Sequence, residues 1–141
     1  MSVPLVVAEP AAAVTDTHPL LYHAAGGTRL GRRAAAFFKR CENRDAILYV
    51  PTPVVWECSL LARAGKILMY RSARSFFEDL FTNPAYQPFD TSAEQVLLAD
   101  EMGFNRDPFD GLIVAAARTL DLHLITRDDD IVESRKVKTL W

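Results

Sequence analysis

Apolar residues recur along the chain at two periods, and the alternation of those periods predicts the elements. Ala11 to Thr15 is a run of small, mostly apolar residues that reads as a central strand, although alanine is a poor strand former. Asp16 stands where that run stops, and Thr17-His18-Pro19 opens the next segment. Leu20 to Ala25 reads as a short helix closed by Gly26-Gly27. From Gly31 to Glu42, the residues Ala34, Phe37, Phe38 and Cys41 fall three and four apart, with Arg32, Arg33, Lys39 and Arg40 between them. That is the pattern of an amphipathic helix. Ala46 to Val50 is a strand candidate bounded by Asp45 and Pro51. Thr52-Pro53 then reads as an N-cap followed by a first-turn proline, opening a helix to about Ala64 that stops at Gly65.

The second half repeats the alternation. Phe76, Phe77, Leu80 and Phe81 mark a helix over Ala73 to Phe81, ended by Asn83-Pro84. Tyr86 to Phe89 is a brief strand. Thr91-Ser92-Ala93-Glu94 matches a capping box, with Val96 to Met102 as the helix behind it. Asp107 reads as the N-cap before Pro108, and the stretch Leu112 to Leu120 is so apolar that its helix is expected to be buried. His123 to Thr126 reads as a strand, and Val137 to Trp141 as a last edge strand. Strands alternating with helices predict an α/β fold, a mostly parallel sheet covered by helices on both faces. Ligands of such sheets bind beyond the carboxyl ends of the strands, where Asp16 and Asp128 fall.

Composition narrows this picture. A chain of 141 residues that is 50% hydrophobic suits a single domain, and disorder is excluded. Met1 to Pro10 is expected to be a short leader, with the domain over residues 11–141. No apolar run approaches the ~20 residues of a membrane span, and a cytoplasmic location is expected. Cys41 and Cys58 lack metal-ligand spacing and read as two separate buried thiols. The formal net charge of −2 does not advertise nucleic acid, but clustered acids can hide basic patches in that total.

Four acids lie against apolar sequence: Asp16, Glu57, Asp110 and Asp128. Glu57 follows Val54-Val55-Trp56 and precedes Leu60-Leu61, and no cation lies within one helical turn of it. A carboxylate in such a place is costly to bury unless it is paired or metal-bound. Carboxylates gathered at one sheet edge also raise one another's pKa values, and a divalent cation relieves that conflict. Oxygen-only ligands favour Mg²⁺ or Mn²⁺ over zinc, which points to metal-assisted hydrolysis of a phosphate ester. Each acid has a plainer reading. Asp16 can cap a helix, Asp110 can satisfy a helix start, Glu57 can sit half exposed on a helix flank, and Asp128-Asp129-Asp130 can be a solvated turn.

The order of these motifs resembles the PIN domain, and more narrowly its bacterial toxin branch of VapC type. The resemblance runs from Ala11 to Trp141. It is carried by Asp16-Thr17-His18, by Trp56-Glu57 with Leu61, Arg63, Gly65 and Lys66, and by Arg106 to Asp110 with Leu112 to Ala115. Thr126-Arg127-Asp128 and the closing Val137, Thr139 and Trp141 complete it. The chain departs from the branch in its alanine-rich first strand and in Arg127, where alanine is common. The resemblance places the metal-binding and catalytic acids on Asp16, Glu57, Asp110 and Asp128. Thr126 becomes a supporting residue beside the site, counted with Arg127 as a substrate-side position. Arg127 is expected to touch substrate phosphate or pair with a neighbouring carboxylate.

The resemblance further implies a Mg²⁺-dependent endoribonuclease, an RNA substrate, a homodimer, and an antitoxin protein that silences the site. Arg29, Arg32, Arg33, Arg63, Lys66, Arg71 and Arg74 are candidates for phosphate contacts, or else form solvated helix faces. Three rivals stand beside this reading: a non-catalytic binding module on the same fold, a metal-dependent phosphatase, and a receiver-like signalling domain. The last fits poorly, because Pro51-Thr52-Pro53 follows the second strand and Arg127-Asp128 follows Thr126.

Overall fold

Ala13, Val14 and Thr15 are consecutive in a strand, so their side chains point to alternate faces, yet all three are fully buried. A strand buried on both faces must lie inside a sheet that is covered on both sides. The computed structural model, which describes residues 8–104 and 106–141, builds that arrangement. Residues 1–7 of the expected leader lie outside the described residues.

In chain order the elements are β1 (Ala12–Thr15), α1 (Thr17–Ala24), α2 (Arg32–Glu42), β2 (Ile47–Pro51), α3 (Thr52–Arg63) and α4 (Ala73–Leu80). They continue with β3 (Tyr86–Phe89), α5 (Ala93–Met102), α6 (Pro108–Leu120), β4 (Leu124–Ile125), α7 (Asp129–Ser134) and β5 (Thr139–Leu140). The sheet has the order β3-β2-β1-β4-β5, and every pairing is parallel. The chain therefore winds outward from β1 through β2 to β3, then crosses back to β4 and β5 on the other side of β1. Connections leave β1 and enter β4 in opposite directions, so a crevice opens between their carboxyl ends.

The core is the apolar set that the periodicity marked. Phe37, Phe38 and Cys41 of α2, Leu48 and Val50 of β2, Ile113 to Ala117 of α6, and Leu124-Ile125 of β4 are all buried. Cys41 and Cys58 are free and separate, and burial pushes each thiol up to about 12, so both stay protonated and act as small hydrophobes.

Several boundaries differ from the sequence reading. Helix α1 starts at Thr17, three residues earlier than the apolar pattern suggests, because Asp16 itself is the N-cap and accepts from the Thr17 amide at 2.8 Å. Thr52 is not the N-cap of α3. It is already helical, Pro51 takes the cap position, and the Thr52 hydroxyl accepts instead from the Thr91 amide. The cap of α5 is Ser92 rather than Thr91, accepting from the Gln95 amide at 3.2 Å. The acidic run after β4 is not a turn throughout: Asp128 caps the short helix α7.

Candidate functional site

Backbone pairing sets the first ligand candidate. The amide of Asp16 donates to the Ile125 carbonyl at 3.0 Å, which extends the β1–β4 ladder one residue past the strand and fixes Asp16 at the crevice. The side chain is 7% exposed. Its Oδ1 caps α1, and its Oδ2 accepts from the Thr126 hydroxyl at 2.7 Å. The same hydroxyl accepts from the Asp128 amide at 3.0 Å, so Thr126 ties the end of β1 to the start of α7. Asp128 in turn spends Oδ1 on the Ile131 amide at 3.1 Å.

Glu57 reaches the crevice from α3, where it is half-buried and accepts from the Thr17 hydroxyl. Asp110 arrives from the first turn of α6, behind a proper cap: Asp107 accepts from the Phe109 amide at 2.9 Å. Asp107, Asp110 and Asp130 line a cavity of about 320 Å³ together with Gly103, Phe104 and Arg106.

These carboxylates feel one another. Burial, and then the charges of Asp107, Asp128, Asp16 and Glu57, push the Asp110 carboxyl up to about 8. Burial raises Asp16 as well, with a further push from Asp128, against the pull of its Thr126 and Thr17 hydrogen bonds and of His18. Glu57 is raised by burial, with Asp107 and Asp16 adding to the rise, while Thr17 and His18 oppose it. Among the described residues the ion pairs lie elsewhere, on Glu9, Glu42, Glu78 and Asp79, and none neutralises this cluster. The donor set is therefore all oxygen and anionic, with Arg106 in the cavity lining but no ion-pair partner among the described residues, a composition that fits a hard divalent cation. No three His, Cys, Asp or Glu side chains among the described residues are drawn into a finished ligand shell. A cation bound here would have to draw the carboxylates together.

A sequence profile of the PIN domain matches residues 13–137. The chain belongs to the PIN domain family. No curated protein sequence matches it. Among solved structures, the chain resembles VapBC2 from Rickettsia felis bound to a DNA fragment from its promoter, with a TM-score of 0.63 at 14% identity over 92% of this chain and 97% of that one. It also resembles FitAcB from Neisseria gonorrhoeae, with a TM-score of 0.62 at 17% identity over 92% and 96%. A toxin–antitoxin complex from Klebsiella pneumoniae has a TM-score of 0.58 at 19% identity over 92% and 96%. At these identities the likeness establishes the shared fold.

Within this PIN domain the four acids singled out by sequence lie near enough for Asp16, Glu57 and Asp128 to raise Asp110, though they are not gathered into a ligand shell, and the two substrate-side residues have local partners. Thr126 is buried, and its hydroxyl donates to Asp16 and accepts from the Asp128 amide, so it positions both acids. Arg127 is exposed but pairs with no carboxylate among the described residues. Its guanidinium lies 5.4 Å from the Tyr22 ring centre and 5.5 Å from that of Trp141, and it donates to the Tyr22 hydroxyl at 3.2 Å. Three of the proposed phosphate contacts are committed locally: Arg33 to Glu9, Arg71 to Asp79 and Arg74 to Glu78.

Sequence reasoning underrated Asp107, Asp130, Thr17 and His18. Asp107 was read as a cap, which it is, but its charge is also the leading carboxylate influence on both Glu57 and Asp110. The signal for Thr17 lay in its place beside Asp16, since a residue following a strand-end cap faces the next helix over.

Proposed function

We propose that this PIN domain is a metal-dependent endoribonuclease of VapC type, the toxin of a toxin–antitoxin pair, with Asp16, Glu57, Asp110 and Asp128 as its metal-binding acids. The observation that carries this reading is a crevice of mutually repelling carboxylates at the switch point of the sheet, with no ion-pair partner among the described residues. Mg²⁺ or Mn²⁺ held there supplies Lewis-acid chemistry, making water acidic enough to attack and offsetting charge on a phosphodiester. The residues of the chain supply order. Thr126 holds Asp16 by one carboxylate oxygen, Thr17 orients Glu57, and Asp107 fixes the first turn of α6 so that Asp110 faces the cavity.

The resemblance to VapBC, FitAB and other toxin–antitoxin structures supports a cognate antitoxin as partner, and a homodimer is proposed as the active form on the family reading alone. No helix among the described residues is long and apolar enough to cross a membrane, which agrees with a cytoplasmic toxin. The absence of a pre-gathered ligand shell favours one rival, a non-catalytic PIN-fold binding module. A metal-dependent phosphatase would use the same carboxylates on another ester.

One experiment separates the ribonuclease from the binding module: cleavage of a mixed RNA pool by the purified protein in Mg²⁺, in Mn²⁺ and in EDTA, beside Asp16→Asn. Metal-dependent cutting that the substitution abolishes supports the ribonuclease. A folded, antitoxin-free protein that cuts nothing and takes up no metal by calorimetry is the binding module.

A further inference from the structure

A second charged feature lies away from the acids. The ends of α6 and α7 and the approach to β5 enclose a cleft of about 770 Å³, whose lining includes Arg118, Arg135, Lys136 and Lys138. One carboxylate, Asp121, belongs to the same lining. None of the four cations takes part in an ion pair among the described residues. Two are anchored without being neutralised: Arg118 donates to Met102 Sδ at 3.6 Å and the Lys136 ammonium to the Met102 carbonyl at 2.8 Å. The carbonyl end of α6 contributes roughly half a negative charge, and Asp121 one more, which leaves a clear positive surplus. In a chain whose formal net charge is −2, this is a local reversal of sign.

The two helices also connect the cleft to the acids. Helix α6 begins behind Asp107 with Asp110 in its first turn and ends beside Arg118, and α7 begins at Asp128 and ends at Arg135. Thirteen helical residues place the two ends of α6 roughly 20 Å apart. At Arg118 that exceeds a Debye length of about 8 Å at physiological salt, so the charge of Asp110 is largely screened there, while along the shorter α7 Asp128 and Arg135 lie roughly 10 Å apart and are screened only in part. We infer that the Arg118–Arg135–Lys136–Lys138 cleft is a distal binding site for the phosphodiester backbone of single-stranded RNA, holding a strand whose scissile bond lies at the acids. This rests on the ribonuclease reading. An acidic protein segment is the competing occupant, but four separate cations around one cleft suit the regular charge of a nucleic-acid backbone better than scattered carboxylates.

The test measures RNA binding in EDTA, where no cleavage occurs, as a function of salt. Each single-strand phosphate contact contributes about 0.7 to the slope of log K against log salt, equivalent to about fivefold in affinity at 0.1 M. Arg118→Gln with Lys138→Gln should weaken a long oligonucleotide by about 25-fold at 0.1 M salt and flatten the slope by about 1.4. Arg118→Lys should retain most of the binding, and Lys39→Gln, on the exposed face of α2, should change nothing. In Mg²⁺ the double variant should raise KM for long RNA and leave kcat, and the KM of a trinucleotide, where they were. Unchanged slope and KM in a variant of wild-type melting temperature would overturn the cleft while leaving the ribonuclease standing. Tight binding of poly-glutamate lost in the same variant, with RNA binding unaltered, overturns it in favour of a protein partner. A wild type that cuts no RNA in any metal overturns the ribonuclease itself, and the slope measurement still decides the cleft.

Discussion

The Thr126 hydroxyl donates to Asp16 and accepts from the Asp128 amide, and among the described residues no other side chain joins those two groups. Replacing it with the near-isosteric valine leaves a buried carboxylate oxygen and a partly buried amide without partners. Thr126→Val should therefore lose about 1–3 kcal/mol in urea unfolding at neutral pH. Thr126→Ser should recover most of that. A valine variant within about 0.5 kcal/mol of wild type would show that water or relaxation replaces the hydroxyl. Asp16→Asn is different in kind: it removes a charge that burial already disfavours. It should abolish metal-dependent cleavage while leaving the metal-free fold as stable as wild type or more so. Cleavage retained by the Asn variant in Mg²⁺ removes Asp16 from the ligand set. The Arg127 guanidinium, held against two aromatic rings, should tolerate lysine poorly, because the planar stacking surface is lost.

At the scale of elements, the helices were legible wherever apolar spacing ran for two turns or more. Helices α2, α4 and α6 fall within a residue or two of their expected ends or extend the expected apolar stretch, because their faces must bury Phe37, Phe77 and Ile113. Helix α7 was not legible. Six residues with one buried side chain, Ile131, carry no periodicity, and its acidic first turn reads equally well as a solvated loop. Strands β4 and β5 are shorter than their apolar runs, since only Leu124-Ile125 pair with β1 on one side and with Thr139-Leu140 of β5 on the other. A close approach invisible in sequence joins α2 to the chain end. A Cβ on Gly31 would lie 2.4 Å from Trp141 Cδ1 and 2.7 Å from the Trp141 carbonyl carbon. Backbone cannot yield as a flexible side chain does, so Gly31→Ala should destabilise by about 1–3 kcal/mol. Thermal melting checks it, and Gly31→Ala combined with removal of Trp141 should recover part of the loss. An unshifted melting temperature in the single variant would mean that the C-terminus detaches at little cost.

The whole molecule decides what individual acids could not. Each carboxylate alone had an ordinary explanation, and Asp16, Asp107 and Asp128 are indeed helix caps. Periodicity and spacing could not group them, and only the resemblance did; in the fold the parallel order β2-β1-β4 brings the segments that follow these strands, with Glu57, Asp16 and Asp128, to neighbouring strand ends. That convergence has a thermodynamic consequence. An Asp110 carboxyl that ionises near 8 in the folded protein and near its ordinary 3.8 when unfolded holds its proton more tightly in the native state. Between those values the native state binds more protons than the unfolded chain, so stability falls as pH rises. Its contribution is fully present below about pH 4 and lost as pH passes 8, and the raised Asp16 and Glu57 act in the same direction. The metal-free protein should thus melt at a higher temperature at pH 5.5 than at pH 8.5. Asp110→Asn should flatten that dependence. Saturating Mg²⁺ or Mn²⁺ should raise the melting temperature at pH 8.5 far more than at pH 5.5, since only ionised carboxylates bind the cation and the cation stabilises only the fold that assembles them. If EDTA and Mg²⁺ give the same melting curve at pH 8.5, the crevice is a repulsive cluster held by the fold for another purpose. A metal-induced rise that survives Asp110→Asn undiminished would move the binding site away from α6.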